Sequence, residues 1–277
     1  MKIKFWGCRG SMPVPDIRMM KYGGNTTSLE VDLGGELLLI DAGTGIRKLG
    51  ESLTKRNINN FNLFITHSHW DHIQGFPFFM PIYSGKTKIR VIGCTNSYKQ
   101  LKDILSSQMS YEFFPISFHD LKSKISFTEI CSNQFSLNGC KIKTIRNNHS
   151  IFTSSLRIEQ NGKSFVFMTD NELESANPLT ERGRFIEFCR GADYLIHDSQ
   201  FTEEEYVYRK TWGHSTFDQS IKLAKDSGVK NLGFFHHDPN RKDKELSALS
   251  RKYSALSHSN GYKFKIFTVK EMDEIKL

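Results

Sequence analysis

Apolar and polar positions alternate in short runs along most of the chain, broken by stretches with helical spacing. KIKFWG (2–7) reads as a strand, and CRGSMPVPDIRMMKYGGNTTS (8–28) as a long Gly/Pro-containing loop. SLEVDL (28–33), a Gly-Gly turn and ELLLIDAG (36–43) read as a hairpin. TGIRKLGESLTKR (44–56) puts Ile46, Leu49 and Leu53 on one helical face. FNLFIT (61–66) and KIRVIG (88–93) are strands, and SYKQLKDILSSQM (97–109) is a helix. In the second half, KISFTEI, FSLNGCKIKTIRN and SSLRIEQNGKSFVFMTD predict strands, with hairpin turns at Asn138-Gly139 and Asn161-Gly162. PLTERGRFIEFCRG (178–191) is a helix and YLIHDSQF (194–201) a strand. STFDQSIKLAKDSG (215–228) is a helix with Ser215 placed to cap it and Gly228 to end it. NLGFFH (231–236) is a strand, DKELSALSRKYSALSHS (243–259) a helix, and KFKIFTV (263–269) a closing strand.

Strands thus come in two runs, each finished by strand–helix alternation. That order predicts an α/β fold of two packed sheets with helices outside them. No repeat and no low-complexity linker interrupts the 277 residues, so we expect a single domain over 1–277. No segment approaches the roughly 18 apolar residues of a membrane span, and the N-terminus lacks the apolar core of a secretory signal. A cytoplasmic protein without a membrane partner is expected. The formal net charge of +8 favours anionic partners. The basic residues are dispersed along the chain, which argues against a dedicated nucleic-acid arm. The five cysteines form no C-x-x-C pair and are expected to be small buried hydrophobes.

The chemistry concentrates at THSHWDHIQG (66–75), directly after a strand. His67, His69 and His72 are three of only ten histidines, and Asp71 lies among them. In an extended backbone His67 and His69 point to the same side, so two imidazoles can reach one ion. Asp71 and His72 follow a turn and can reach a second. Neutral imidazole with carboxylate suits zinc, and manganese or iron also accept it. One stretch cannot complete two coordination spheres. His149, Asp170 and His236 each follow an apolar strand, which places them at one rim of a sheet. His237 is the alternative to His236 for the last position.

These residues, in this order and spacing, resemble the metallo-β-lactamase superfamily. The resemblance implies a four-layer αβ/βα sandwich. It implies His67, His69 and His149 on a first ion, and Asp71, His72 and His236 on a second. Asp170 would bridge both ions together with a hydroxide, which Asp71 would also orient. Asp41, in LLLIDAGTG, matches an aspartate that hydrogen-bonds the histidine loop without touching metal.

Two further motifs, IHDSQF (196–201) and GHST (213–216), resemble the phosphodiesterase branch, which includes ribonuclease Z and small cyclic-nucleotide phosphodiesterases. The resemblance implies that His214 contacts the scissile phosphate, where it would hydrogen-bond a phosphoryl oxygen or protonate the leaving oxygen. Asp198 would fix its tautomer. The ribonuclease motif usually carries Glu where this chain has Asp198, one methylene shorter. GCRGSMPVP and KYGGNTTSLEV also resemble the opening of small bacterial members. Gly23, Gly24 and Asn25 would edge the site, with Asn25 and Ser28 either binding phosphate or closing turns. YEFFPISF (111–118) would offer aromatics near the site, for stacking a base or for packing. Ribonuclease Z carries a long Gly/Pro-rich arm that grips transfer RNA, and no such insertion is found. The expected activity is therefore hydrolysis of a small phosphodiester, in particular a cyclic nucleotide, by a homodimer with two Zn2+ or Mn2+ ions. Transfer-RNA 3′ endonuclease is the alternative, followed by hydrolysis of another ester, lactone or thioester.

Overall fold

The structure is a computed structural model and describes residues 1–94, 100–131, 133–259 and 261–277. Two seven-stranded mixed sheets face each other. The first begins with β1 (Lys2–Gly7), β2 (Ser28–Asp32) and β3 (Leu37–Ile40), all antiparallel. After helix α1 (Ile46–Lys55), the chain adds β4 (Asn60–Ile65) parallel to β3. A one-turn helix, α2 (Trp70–Ile73), carries Asp71 and His72. Then come β5 (Lys88–Gly93), α3 (Leu101–Ser107) and β6 (Lys124–Glu129), with β5 and β6 parallel. The expected helix start at 97–99 lies outside the described residues.

The second sheet opens with β7 (Gln134–Leu137), β8 (Cys140–Arg146), β9 (Ser154–Gln160) and β10 (Lys163–Met168), a run of antiparallel neighbours. Helix α4 (Arg182–Cys189) leads to β11 (Tyr194–Asp198). The one-turn α5 (Glu203–Tyr206) and then α6 (Phe217–Ser227) lead to β12 (Asn231–Phe235). Helix α7 (Asp243–Ser259) leads to β13 (Lys265–Thr268). Strands β10 to β13 are parallel neighbours. The sequence predicted that β13 closes the chain, and it does not. A last strand, β14 (Glu274–Lys276), returns to the first sheet and pairs antiparallel with β1. Its three residues are too few to show a period.

The four layers follow from which face each apolar residue buries. In β10, Phe165 and Phe167 enter the core between the sheets, with Phe5, Leu29, Phe64 and Leu156. Val166 and Met168 point the other way, onto Phe185 of α4 and Phe217 and Ile221 of α6. In β4, Phe64 points inward while Phe61, Leu63 and Ile65 meet Leu49 and Leu53 of α1. Strands buried on both faces read as continuous apolar runs, as FNLFI and SFVFM do.

Three local expectations change. Helix α6 is capped by Thr216, not Ser215: the Thr216 hydroxyl accepts the Gln219 N–H, and the Gln219 side chain accepts the Thr216 N–H. Ser215 instead donates to the Asn171 carbonyl. Helix α4 is shorter than 178–191, because residues 178–181 lie outside its hydrogen-bonded turns. Cys94 and Cys131 are joined by a disulfide, their Cα atoms 5.1 Å apart. They follow β5 and β6, and those strands are parallel neighbours in register at Gly93 and Glu129. Cys8, Cys140 and Cys189 are free and buried, as expected. No described helix is long and apolar enough to cross a membrane.

Candidate metal centre

The sequence-predicted site residues gather at the rim where the two sheets meet: His67, His69, His149, Asp170 and His236 follow strands, Asp71 and His72 lie on α2, Asp198 ends β11, and His214 lies in the loop before α6. Strand β4 ends at Ile65, and His67 and His69, the latter in extended backbone, follow before α2 turns Asp71 and His72 back. The ring centroids of His67 and His69 are 4.7 Å apart, so both imidazoles do reach one place. His149 follows β8, Asp170 follows β10 and His236 follows β12. The ligand atoms of His67, His69, His149 and Asp170 lie within 4.8 Å of one another. Those of Asp71, His72, Asp170 and His236 do the same, so Asp170 belongs to both groups. Its Oδ2 is 3.6 Å from His67 Nε2, and its Oδ1 is 3.1 Å from His72 Nε2 and 3.4 Å from His236 Nε2. His237 is turned away, with Nε2 2.8 Å from the Val269 carbonyl oxygen.

The donor set fits two cations. His67 Nε2 and His72 Nε2 are buried and have no hydrogen-bond partner, although buried polar atoms are normally satisfied. His149 Nε2 and His69 Nδ1 are 3.0 Å apart. Burial lowers His67 well below its ordinary value and brings His149 down to about 4, so both imidazoles are neutral and able to ligate near pH 7. Burial would also lower His72, but Asp170, Asp71 and Asp41 together raise it well above 6.5. Burial would raise Asp170, yet His236, His72 and His67 hold it well below the usual carboxylate range. The carboxylates thus demand positive charge at the centre, and divalent ions would meet that demand.

The surroundings fix these side chains. Asp41 Oδ1 accepts the Thr66 N–H at 2.7 Å, and its Oδ2 accepts the Thr66 hydroxyl at 2.8 Å. The same Oδ2 is 2.8 Å from His72 Nδ1, which leaves Nε2 to face the cluster. Asp198 Oδ2 is 2.7 Å from His214 Nδ1, so the shorter side chain still reaches. The His214 ring stacks on His236 at 4.9 Å and lies 5.4 Å from His149. Asn25 is tied to Glu271 by both its N–H and its side-chain amide, a contact between the first loop and the C-terminal segment. The Ser28 hydroxyl is buried without a partner. In 111–118, Phe114 packs on Phe78 and Phe118 on Phe76, while Tyr111 and Phe113 are exposed.

Several contributors were not among the expected site residues, although Gly10, Ser11 and Gly213 lie within the GCRGSMPVP and GHST motifs. The Ser11 N–H donates to Asp71 Oδ2 at 2.8 Å, across sixty positions. Buried Glu172 accepts the N–H groups of Thr211 and Gly213 at 2.8 and 3.2 Å, and so shapes the GHST loop. A Cβ at Gly10 would lie 2.5 Å from His236 Nδ1, and one at Gly213 2.1 Å from His149 Nδ1. Only glycine lets the backbone come this close to the two rings.

Residues 37–237 match the Beta-lactamase superfamily domain. The chain is 26% identical to ribonuclease Z of Pyrococcus horikoshii, over 88% of this chain and 89% of the relative. Among solved structures it is similar to a diphosphatase from the PhnP family, with a TM-score of 0.71 and 18% identity over 100% of this chain and 97% of the other. The short form of human tRNase Z gives a TM-score of 0.67 and 18% identity, over 100% and 99%.

Proposed function

The chain belongs to the metallo-β-lactamase superfamily as a metallohydrolase, and we propose that its substrate is a phosphodiester linkage of RNA. The observation that carries this reading is the His214–Asp198 pair, 2.7 Å apart and set against His149 and His236 at the edge of the ligand cluster. Hydrolysis of a carboxylic ester needs no such extra acid beside the metals as acutely as expulsion of an alkoxide from phosphorus does. We assign His67, His69 and His149 to one ion, Asp71, His72 and His236 to the other, and Asp170 to both, with zinc as the ion that suits this donor set. Bound there, the two ions supply a nucleophile at neutral pH and offset the charge that builds on phosphorus.

The chain's own residues do the rest. The Asp71 carboxylate, held by the Ser11 N–H, orients the attacking water. Asp198 accepts the His214 Nδ1–H, and the Gln200 N–H at 3.1 Å keeps that carboxylate in place. His214 Nε2 is then left to give its proton to the leaving oxygen as the bond to phosphorus breaks.

Similarity to ribonuclease Z over nearly the full length of both chains supports RNA over a small diester. A cyclic nucleotide is the second reading, supported by the lack of an inserted Gly/Pro-rich arm in the sequence. A homodimer belongs to the same reading, and sedimentation velocity measures it. The test is cleavage of a precursor transfer RNA, a panel of cyclic nucleotides and bis(p-nitrophenyl) phosphate by metal-loaded protein, with His214→Ala alongside. RNA cleavage lost in the variant is the expected result. Cleavage of cyclic nucleotides alone would favour the second reading. Failure to cleave any diester, in protein shown to hold two metals, would sink both.

A further inference from the structure

The loop that delivers His214 also holds an indole in solvent. Trp212 is 60% exposed, although Gly213 and His214 beside it are buried. The loop is not slack. Glu172 clamps the backbone on both sides of Trp212 through Thr211 and Gly213, and it also accepts the Tyr206 hydroxyl at 2.7 Å. Buried Phe201 lies behind: its ring meets Trp212 edge-on at 6.5 Å and His214 edge-on at 5.9 Å. The Arg209 guanidinium sits over Phe201 at 5.0 Å and near the Trp212 ring at 5.9 Å. Among the described residues no carboxylate lies within 4.0 Å of that guanidinium, and its charge acts on Glu205, which pairs with Arg241, only from a distance.

A lone exposed apolar residue needs no explanation. This one is an aromatic plane on a fixed backbone, with a cation beside it that contacts no described carboxylate, two residues from the group that meets the leaving oxygen. We propose that Trp212 and Arg209 form a subsite for the nucleotide on the leaving-group side of the scissile linkage. The base stacks on the indole and the next phosphate meets Arg209. This rests on the phosphodiesterase reading above. Stacking on an aromatic side chain is tolerant of base identity, because every base has a π-face. The subsite would therefore require a base without choosing which.

Two measurements test it on metal-loaded protein. The first is tryptophan fluorescence titrated with adenosine monophosphate and with ribose 5-phosphate. The base-bearing ligand should quench part of the emission, the ribose phosphate should not, and the quench should vanish in Trp212→Phe, which keeps Trp6 and Trp70. The second compares an oligonucleotide with one that lacks the base on the leaving-group side. Trp212→Ala should raise KM for the first about tenfold, leave kcat within twofold, and leave the abasic substrate unchanged. Trp212→Phe should restore most of the loss, and Arg209→Gln should raise KM for both substrates. A quench that persists in Trp212→Phe, or an equal loss on both substrates in Trp212→Ala, would overturn the subsite. Wild-type protein that cleaves no diester would instead overturn the reaction assigned above, and the fluorescence titration would still decide whether the subsite exists.

Discussion

Three residues of the centre hold backbone conformations that side chains other than glycine avoid. Asp41, Asp170 and His236 have φ of 61°, 52° and 58°. Each follows a strand, and the left-handed turn throws its side chain sideways into the rim instead of onward along the strand. Such conformations cost about 1–3 kcal/mol each and persist where surrounding contacts hold them. Thr66 and His72 hold Asp41, and the ligand cluster holds the other two. Position after a strand was legible in the sequence, so all seven expected ligand positions converge. The φ values were not legible, nor were the glycines against which the rings lie. Gly213 combines both constraints, with φ of 84° and His149 Nδ1 where a Cβ would go. Gly213→Ala should displace His149 and weaken binding of one metal by roughly 10–100-fold, measured by competition with a chromogenic chelator. Unchanged affinity would mean that the loop yields without cost. Asp198→Asn tests the other side of the centre. It should keep both metals, leave KM nearly unchanged and lower kcat by roughly 10²–10⁴-fold. Full activity in that variant would remove His214 from the proton transfer.

The Asn-Gly hairpin turns, with a strong local code, were read correctly, the cap of α6 was misplaced by one residue, and features defined by distant partners were missed. The Asn138-Gly139 and Asn161-Gly162 turns have positive φ at both residues, as a two-residue hairpin requires. Strand β14 exists because β1 offers it an edge, and nothing in its own residues announces it. The Cys94–Cys131 link is of the same kind: the parallel pairing of β5 and β6 brings together residues 37 positions apart. Closing a loop of that length should stabilise the fold by about 3–4 kcal/mol through the unfolded chain. Replacing both cysteines with serine should lower the unfolding free energy by that order in urea titrations under non-reducing conditions. Equal stability would show that the link is not formed in solution. Strand β11 carries a second testable device. His197 is fully buried, its Nδ1 close to the Asp198 carbonyl and 3.1 Å from the Ser220 hydroxyl. Burial lowers it from 6.5, while the unfolded chain titrates at the ordinary value. Between those two values only the unfolded chain takes up the proton. Its contribution is therefore complete above pH 6.5 and is lost as pH falls toward the folded value. The stability gap between wild type and His197→Gln should narrow from pH 7 to pH 5.5, and a constant gap would refute it.

At the scale of the molecule, the centre is a seam between two sheets that share one apolar core. His67, His69, Asp71 and His72 come from the first sheet's rim, and His149, Asp170 and His236 from the second's. The core between the sheets is one contiguous apolar cluster, with Phe5, Phe64, Phe165 and Phe167 all buried. Burial of this cluster favours association of the two sheets independently of the rim. The rim concentrates negative charge: Asp170, Asp71 and Asp41 close around His72 and raise it well above 6.5 against the effect of burial. Divalent ions would relieve this strain and cross-link the two rims, and they bind the folded chain in preference to the unfolded one. At ion concentrations near a thousand times Kd the gain is about 4 kcal/mol, or on the order of 10 °C in Tm for a chain of this size. Chelation should therefore lower Tm without abolishing cooperative unfolding. Hydrogen exchange locates the effect. The segments 66–72, 146–150 and 170–173 should lose protection together, while β3 and β11 in the sheet interiors keep theirs. Loss confined to one rim would mean that the ions do not bridge the sheets, and uniform loss would mean that the core depends on them.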